Sequence, residues 1–154
     1  MEAKDLSKIG IIAAIYAVLT ILLSPISYGP LQFRLSEVLK PLALKGTDYV
    51  LGLTIGLFLA NLFSPYISVW ELVFMPFMCL FGGYIVYKLN KRPYLAVIFY
   101  SFWIALGVSI TLNVTIGLPL VITFPGVFVS ELILMLFGLG VVVNVILYRI
   151  TPTK

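Results

Sequence analysis

The sequence predicts an all-α integral membrane protein, a single membrane domain over residues 1–154 with six transmembrane helices. Three observations carry this. Of 154 residues, 62% are hydrophobic and 10% charged, against about 25% charged in a soluble domain. Such a chain cannot present a wettable surface, so the lipid bilayer is its solvent. Its apolar runs are long and do not alternate, which selects helices over barrel strands. The breaks between runs carry turn chemistry: Ser24-Pro25, Lys45-Gly46-Thr47-Asp48, Ser64-Pro65, Asn90-Lys91-Arg92-Pro93 and Gly117-Leu118-Pro119.

A span needs about 20 mostly apolar residues, fewer when its ends snorkel. The first is expected at Ile9 to Leu23. It follows the polar "MEAKDLSKIG", and no small-residue cleavage site stands out after it, so it reads as retained in the mature protein. The second, Leu31 to Leu44, is short and holds Arg34, Glu37 and Lys40. The third runs Tyr49 to Phe63, the fourth Trp70 to Leu89, the fifth Tyr94 to Asn113 and the sixth from about Phe124 to Tyr148.

Charge bias tests the weak second span. If all six cross, nine of the ten basic residues fall on one side, with Lys40 and Lys45 at the inner end of span two, and Arg34 alone falls on the other. If the second does not cross, the Lys40/Lys45 and Lys88/Lys91/Arg92 groups land on opposite faces. The bias therefore favours a multi-pass protein of the cell membrane with both termini cytoplasmic. Tyr66 and Trp70 fit an aromatic belt at the outer ends of spans three and four.

Composition also narrows function. There is no histidine and one cysteine, Cys79, inside an apolar run. Most metal sites, Cys–His pairs and Ser–His–Asp triads are thereby removed, and no cofactor chemistry is expected. The net charge of +4 sits at span ends rather than in one patch, so nucleic acid is not an expected partner.

What remains is polar residues at one depth. "SPISYGPLQFRLSE", residues 24 to 37, sets Gln32, Arg34 and Glu37 beside Tyr28, Gly29 and Pro30. Arg34 runs against the positive-inside trend; a snorkelling arginine is the plain alternative. Arg34 and Glu37 are three apart and share a helix face. Asn61, Glu71, Asn113 and Glu131 fall in the outer halves of spans three to six. Any one of them could be an interhelical bond or a solvated end; together they describe a pocket. Carboxylates accept from ring N–H and amino groups, while arginine and amides donate to carbonyl oxygen and ring nitrogen. Aromatic faces such as Tyr28, Phe33, Tyr66 and Trp70 stack on planar rings. The expected ligand is a flat, nitrogen-rich, purine-like small molecule, with Gln32, Arg34, Glu37, Asn61, Trp70, Glu71 and Glu131 as its binding residues.

In span one, Gly10 and Ala14 are four apart, as are Ala13 and Ala17. Such small-xxx-small steps allow backbone-to-backbone contact, inside the bundle or with a membrane partner. The chain shows no phosphate-binding loop, no long cytoplasmic domain and no internal duplication, which a secondary transporter would usually carry. Uphill transport would need another subunit to supply the work.

The stretch "SPISYGPLQFRLSE" closely resembles the signature of the QueT family, of general form "PISYGP-I/L-QFR-I/V-SE". "AAIYAVLTILL" before it, "GLFLANLF" in span three and "FVSE" in span six extend the resemblance. It departs in "VLKPLALKG", where the family usually continues with an apolar "ALTLLP"-type run. The resemblance implies an S-component-like six-helix bundle, the substrate-binding subunit of an energy-coupling factor (ECF) transporter. Such a subunit would capture a queuosine precursor, a 7-deazaguanine base, from outside. Its partners would be a transmembrane coupling subunit and two ATPase subunits. Gln32, Arg34 and Glu37 match the signature by position, Glu131 matches the last-helix glutamate, and Ala13 and Ala17 match the docking face. Two other readings compete. One is a membrane scaffold whose polar residues only hold helices together. The other is a solitary channel, which would need a continuous polar path that "VLGLTIGL", "FGGYIVYKL" and "YLAVIFYSFWIA" do not offer.

Overall fold

The computed structural model describes residues 3–28 and 32–147. Gly29 and Pro30 of the signature, Leu31 at the expected start of span two, and Tyr148, Arg149 and Lys154 at the C-terminal end lie outside them. All regular structure among the described residues is helical. Helix α1 (Ala3–Leu22) stops just before Pro25, which sits in the first turn of the one-turn helix α2 (Ser24–Ser27), where a missing N–H costs nothing. An eleven-residue 3-10 helix follows (Leu35–Lys45), then α3 (Thr47–Asn61). A π-helical turn (Trp70–Phe74) leads into α4 (Met75–Lys88). The last two helices are α5 (Pro93–Ile116) and α6 (Leu120–Gly138), and α6 continues as a π-wound stretch, Leu139–Leu147. Gly117 ends α5 in the left-handed conformation, φ 74°, and its N–H bonds Asn113 O at 3.0 Å, a glycine C-cap.

Among the described residues, four stretches are long and apolar enough to cross a membrane: Ala3–Leu22, Trp70–Lys88, Pro93–Ile116 and Leu120–Val143. These agree with expected spans one, four, five and six to within a few residues. Thr47–Asn61 is apolar but shorter. The second expected span is neither long nor α-helical. As a 3-10 helix, however, its eleven residues rise about 2.0 Å each and reach about 22 Å, where an α-helix would reach about 16 Å.

This 3-10 segment is the axis of the molecule. It packs against α1, α3, α4 and α6, and Ser36, Glu37, Lys40, Pro41, Leu42, Ala43 and Leu44 are all buried. With three residues per turn, Glu37 and Lys40 fall in one line, and Arg34 stands at the N-cap just before them. Two glycines let the bundle close on it. A Cβ on Gly138 would lie 2.0 Å from Val38 O, so α6 presses on the backbone of the segment itself. A Cβ on Gly56 would lie 2.8 Å from both Ala13 O and Tyr16 Cβ, which brings α3 against α1.

One expectation is overturned. Lys40 does not mark a solvated inner end of span two; it is fully buried, paired with Glu37, and 5.4 Å from the centre of the Tyr100 ring. Its spacing from Glu37 turns both charges to the same side, and the ion pair takes the place of water. Lys4, Lys45, Lys88, Lys91 and Arg92 are exposed at the end where α1 begins and α4 stops.

Candidate functional site

The line of charges on the central segment organises two polar clusters. The first gathers around Arg34, which is 4% exposed. Its Nε donates to Gln32 Oε1 at 3.1 Å and to Ser27 O at 3.3 Å. Its Nη1 donates to Asn61 Oδ1 at 3.1 Å, and its Nη2 lies 3.9 Å from Glu71 Oε1. The guanidinium sits 5.0 Å from the centre of the Tyr28 ring, and the Tyr28 hydroxyl donates to Ala60 O at 2.6 Å. Asn61 in turn donates to Glu71 O at 2.7 Å, tying the end of α3 to the π turn.

Backbone conformation aims these groups. Gln32 has φ 48°, a left-handed value that non-glycine residues seldom adopt, and this turns its buried amide back toward Arg34. The wide π turn brings Glu71 inward while Trp70 beside it faces out. Such turns concentrate at functional sites.

Two features of this cluster are open. Arg34 has five N–H donors, and Nη2 shows no hydrogen bond among the described residues. Glu71 Oε2 is buried and without a hydrogen-bond partner. Both line one small space together with Gln32, Met75, Val108, Thr111 and Leu112. Its volume is about 10 Å³, room for roughly one water centre. A planar base therefore enters only if these side chains move apart.

The second cluster lies further along the segment and is tightly closed. The Tyr16 hydroxyl donates to Glu37 Oε1, and Lys40 Nζ pairs with Glu37 Oε2. That ion pair is in contact but off hydrogen-bond geometry, so neither Glu37 Oε2 nor Lys40 Nζ has a hydrogen bond in the strict sense. Tyr100, under Lys40, donates to Cys79 O at 2.9 Å. Glu131 of α6 is 1% exposed and faces Glu37, with Lys40 and Arg34 within electrostatic reach. Beside the cluster Thr20 and Ser36 share a hydroxyl contact at 2.7 Å. Counting both clusters, three carboxyls (Glu37, Glu71, Glu131) face two cations (Arg34, Lys40), all buried.

The structure thus brings Gln32, Arg34, Asn61 and Glu71 to one place, and Glu37 and Glu131 to an adjoining one. It does not bring Trp70 to either: its ring is 40% exposed and meets Phe74 edge-on. Asn113 donates to Leu118 O at 3.0 Å and braces the α5–α6 turn. The small residues of α1 divide. Ala13 and Ala17 are buried, with Ala13 against Gly56 of α3, while Gly10 and Ala14 are exposed. Sequence reasoning missed Tyr16, Lys40 and Thr111 as parts of these clusters. The Glu37/Lys40 spacing of three was the available signal for Lys40; nothing in the sequence distinguished Tyr16 or Thr111 from packing residues.

Comparison with known proteins supplies the frame for this geometry. Over 65 residues the chain is 43% identical to the queuosine precursor transporter QueT of Lactococcus lactis subsp. cremoris (strain MG1363). That stretch takes in 41% of this chain and only 38% of the relative. No solved structure matches. The model of the QueT transporter family matches residues 6–149, nearly the whole chain. With that match the chain belongs to the QueT transporter family, and its apolar helices are those of a multi-pass membrane protein.

Proposed function

We propose that this chain is the substrate-capturing S-component of an ECF-type importer and that it takes up a queuosine precursor, a 7-deazaguanine base. The observation that carries the reading is a buried, unsatisfied carboxylate oxygen on Glu71 in one small space that the Arg34 side chain also lines. A buried orphan of this kind calls for an explanation. A purine-like ring offers N–H and amino donors to the carboxylate and a carbonyl to the guanidinium. Gln32 and Asn61 hold Arg34 now; on binding they are free to exchange that bond for the ring. The name of the Lactococcus relative supports the same substrate class.

In this reading the short 3-10 segment and α3 also cross, which gives six crossings with both termini cytoplasmic and Arg34 on the outer side. The exposed basic residues at the opposite end support that orientation. A transmembrane coupling subunit and two ATPases supply the energy. The coupling subunit meets α1 along the exposed Gly10–Ala14 face, since Ala13 and Ala17 are buried, Ala13 against Gly56 of α3. A scaffold role would account for the Glu37–Lys40 ion pair of the second cluster, but it leaves the Glu71 oxygen without use.

The test is the thermal stability of purified protein in detergent with 7-deazaguanines, guanine and common vitamins. A ligand bound only by the folded state raises the apparent Tm, by about 2.7 kcal/mol of stabilisation at a hundredfold excess over Kd. The expected result is a shift with a 7-deazaguanine and none with the vitamins. No shift with any of them, from folded protein, would contradict the proposal.

A further inference from the structure

The buried site holds the recognition chemistry but about 10 Å³ of room. The room is next door. A groove of about 390 Å³ lies at the same end of the bundle, lined by Pro65, Tyr66, Ile67, Ser68 and Trp70 on one wall and by Val114, Thr115 and Ile116 on the other. That volume falls within the range of small-molecule sites, about 300–1,000 Å³. The two spaces share their walls. Trp70 lines the groove and the next residue, Glu71, lines the buried site; Thr111 and Leu112 line the buried site and the next turn of α5 lines the groove. Ser68 Oγ accepts the Glu71 N–H at 3.3 Å, so the groove wall is tethered to the residue carrying the orphan carboxylate oxygen. The groove also explains the two aromatic residues that sequence reasoning assigned to ring stacking and the structure keeps out of the buried clusters: Tyr66 and Trp70 both line it. Hydroxyls from Ser68 and Thr115 and the Tyr66 phenol make its lining part polar, which suits a hydrated planar base better than an acyl chain.

We propose that this groove is a first-encounter subsite for the planar base, which docks between the Tyr66–Trp70 wall and the Val114–Ile116 wall. The base then passes inward as Glu71 and Arg34 separate. The inference rests on the proposed function and adds a second, outer position for the same substrate.

The experiment is stopped-flow binding of a 7-deazaguanine to the full chain in lipid nanodiscs, comparing wild type with Val114→Trp. Val114 is 52% exposed and makes no side-chain hydrogen bond, so the larger ring fills the groove without disturbing the core. Ile67→Trp fills it from the opposite wall, where Ile67 is 54% exposed, and serves if the first variant does not fold. The expected result is association and dissociation both slowed by about tenfold or more, with equilibrium affinity within about threefold, because the route is blocked and the final site is intact. Unchanged rates in a variant that binds would overturn the subsite and leave the proposed function standing. Wild type that binds no 7-deazaguanine would overturn both. Slowing that appears only in nanodiscs and vanishes in detergent would assign the groove to lipid and overturn the subsite as well.

Discussion

The Arg34 cluster and the Glu37 cluster adjoin at the start of the 3-10 segment, centred on residues three apart, Arg34 at its N-cap and Glu37 within it, and they are held in different ways. Around Glu37 one carboxylate oxygen accepts from the Tyr16 hydroxyl and the other is in ion-pair contact with Lys40, although Glu37 Oε2, Lys40 Nζ and Glu131 Oε2 have no hydrogen-bond partner among the described residues. Around Arg34 the carboxylate partner stands off at 3.9 Å, one of its oxygens is unsatisfied, and only amides and carbonyls hold the guanidinium closely. A buried charge that is fully paired stabilises and fixes register; one that is partly paired is poised to accept a ligand. The comparison sets two roles for Glu37 side by side: by sequence it stands in the recognition motif as a ligand contact, and its contacts with Tyr16 and Lys40 also tie that motif to the bundle.

Three changes would break or sharpen the contrast. Lys40→Met has the largest expected effect. It leaves Glu37 and Glu131 facing each other with no cation between them, and removing one member of a buried pair costs about 3–5 kcal/mol. Denaturant or thermal unfolding in detergent should show this, and the double change Glu37→Gln with Lys40→Met should recover part of the loss. A Lys40→Met protein as stable as wild type would show that the second cluster is no staple. Gly138→Ala comes next. The added methyl would have to displace the Val38 backbone, an overpacking cost of about 1–3 kcal/mol, and it should lower stability and substrate affinity together because the same segment carries Arg34. Glu71→Gln has the smallest expected effect on the fold, about 1 kcal/mol or less, since Arg34 keeps its bonds to Gln32, Ser27 and Asn61.

Much of this could be seen in the sequence. The apolar runs located α1, α4, α5 and α6, because length and hydropathy are enough for a helix that faces lipid. The signature and the shared depth of polar residues led to Gln32, Arg34, Asn61 and Glu71 meeting. What hydropathy could not see was winding. It treats a lysine as the end of a span, and so placed Lys40 in water, where a 3-10 turn instead aligns it with Glu37 in the interior. It assigns neighbours in a helix to adjoining faces, and so let Trp70 and Glu71 share a pocket; the π turn sends one outward and the other inward. Ala13 and Ala17 carried the small-residue pattern of a docking face; in the structure both are buried, and Ala13 packs against Gly56 of α3. A motif shows that close contact occurs, not with whom.

The most direct test of the central claim, that recognition belongs to the Arg34–Glu71 cluster, is the affinity of the Glu71→Gln protein for a 7-deazaguanine, measured by equilibrium titration alongside its unfolding midpoint. Replacing a charged acceptor by an amide should cost about 1.5–3 kcal/mol of binding, about tenfold to a hundredfold in Kd, while the midpoint stays near that of wild type. A Glu71→Gln protein that binds as tightly as wild type would contradict the account, and would move the substrate from the Arg34 cluster to another part of the bundle.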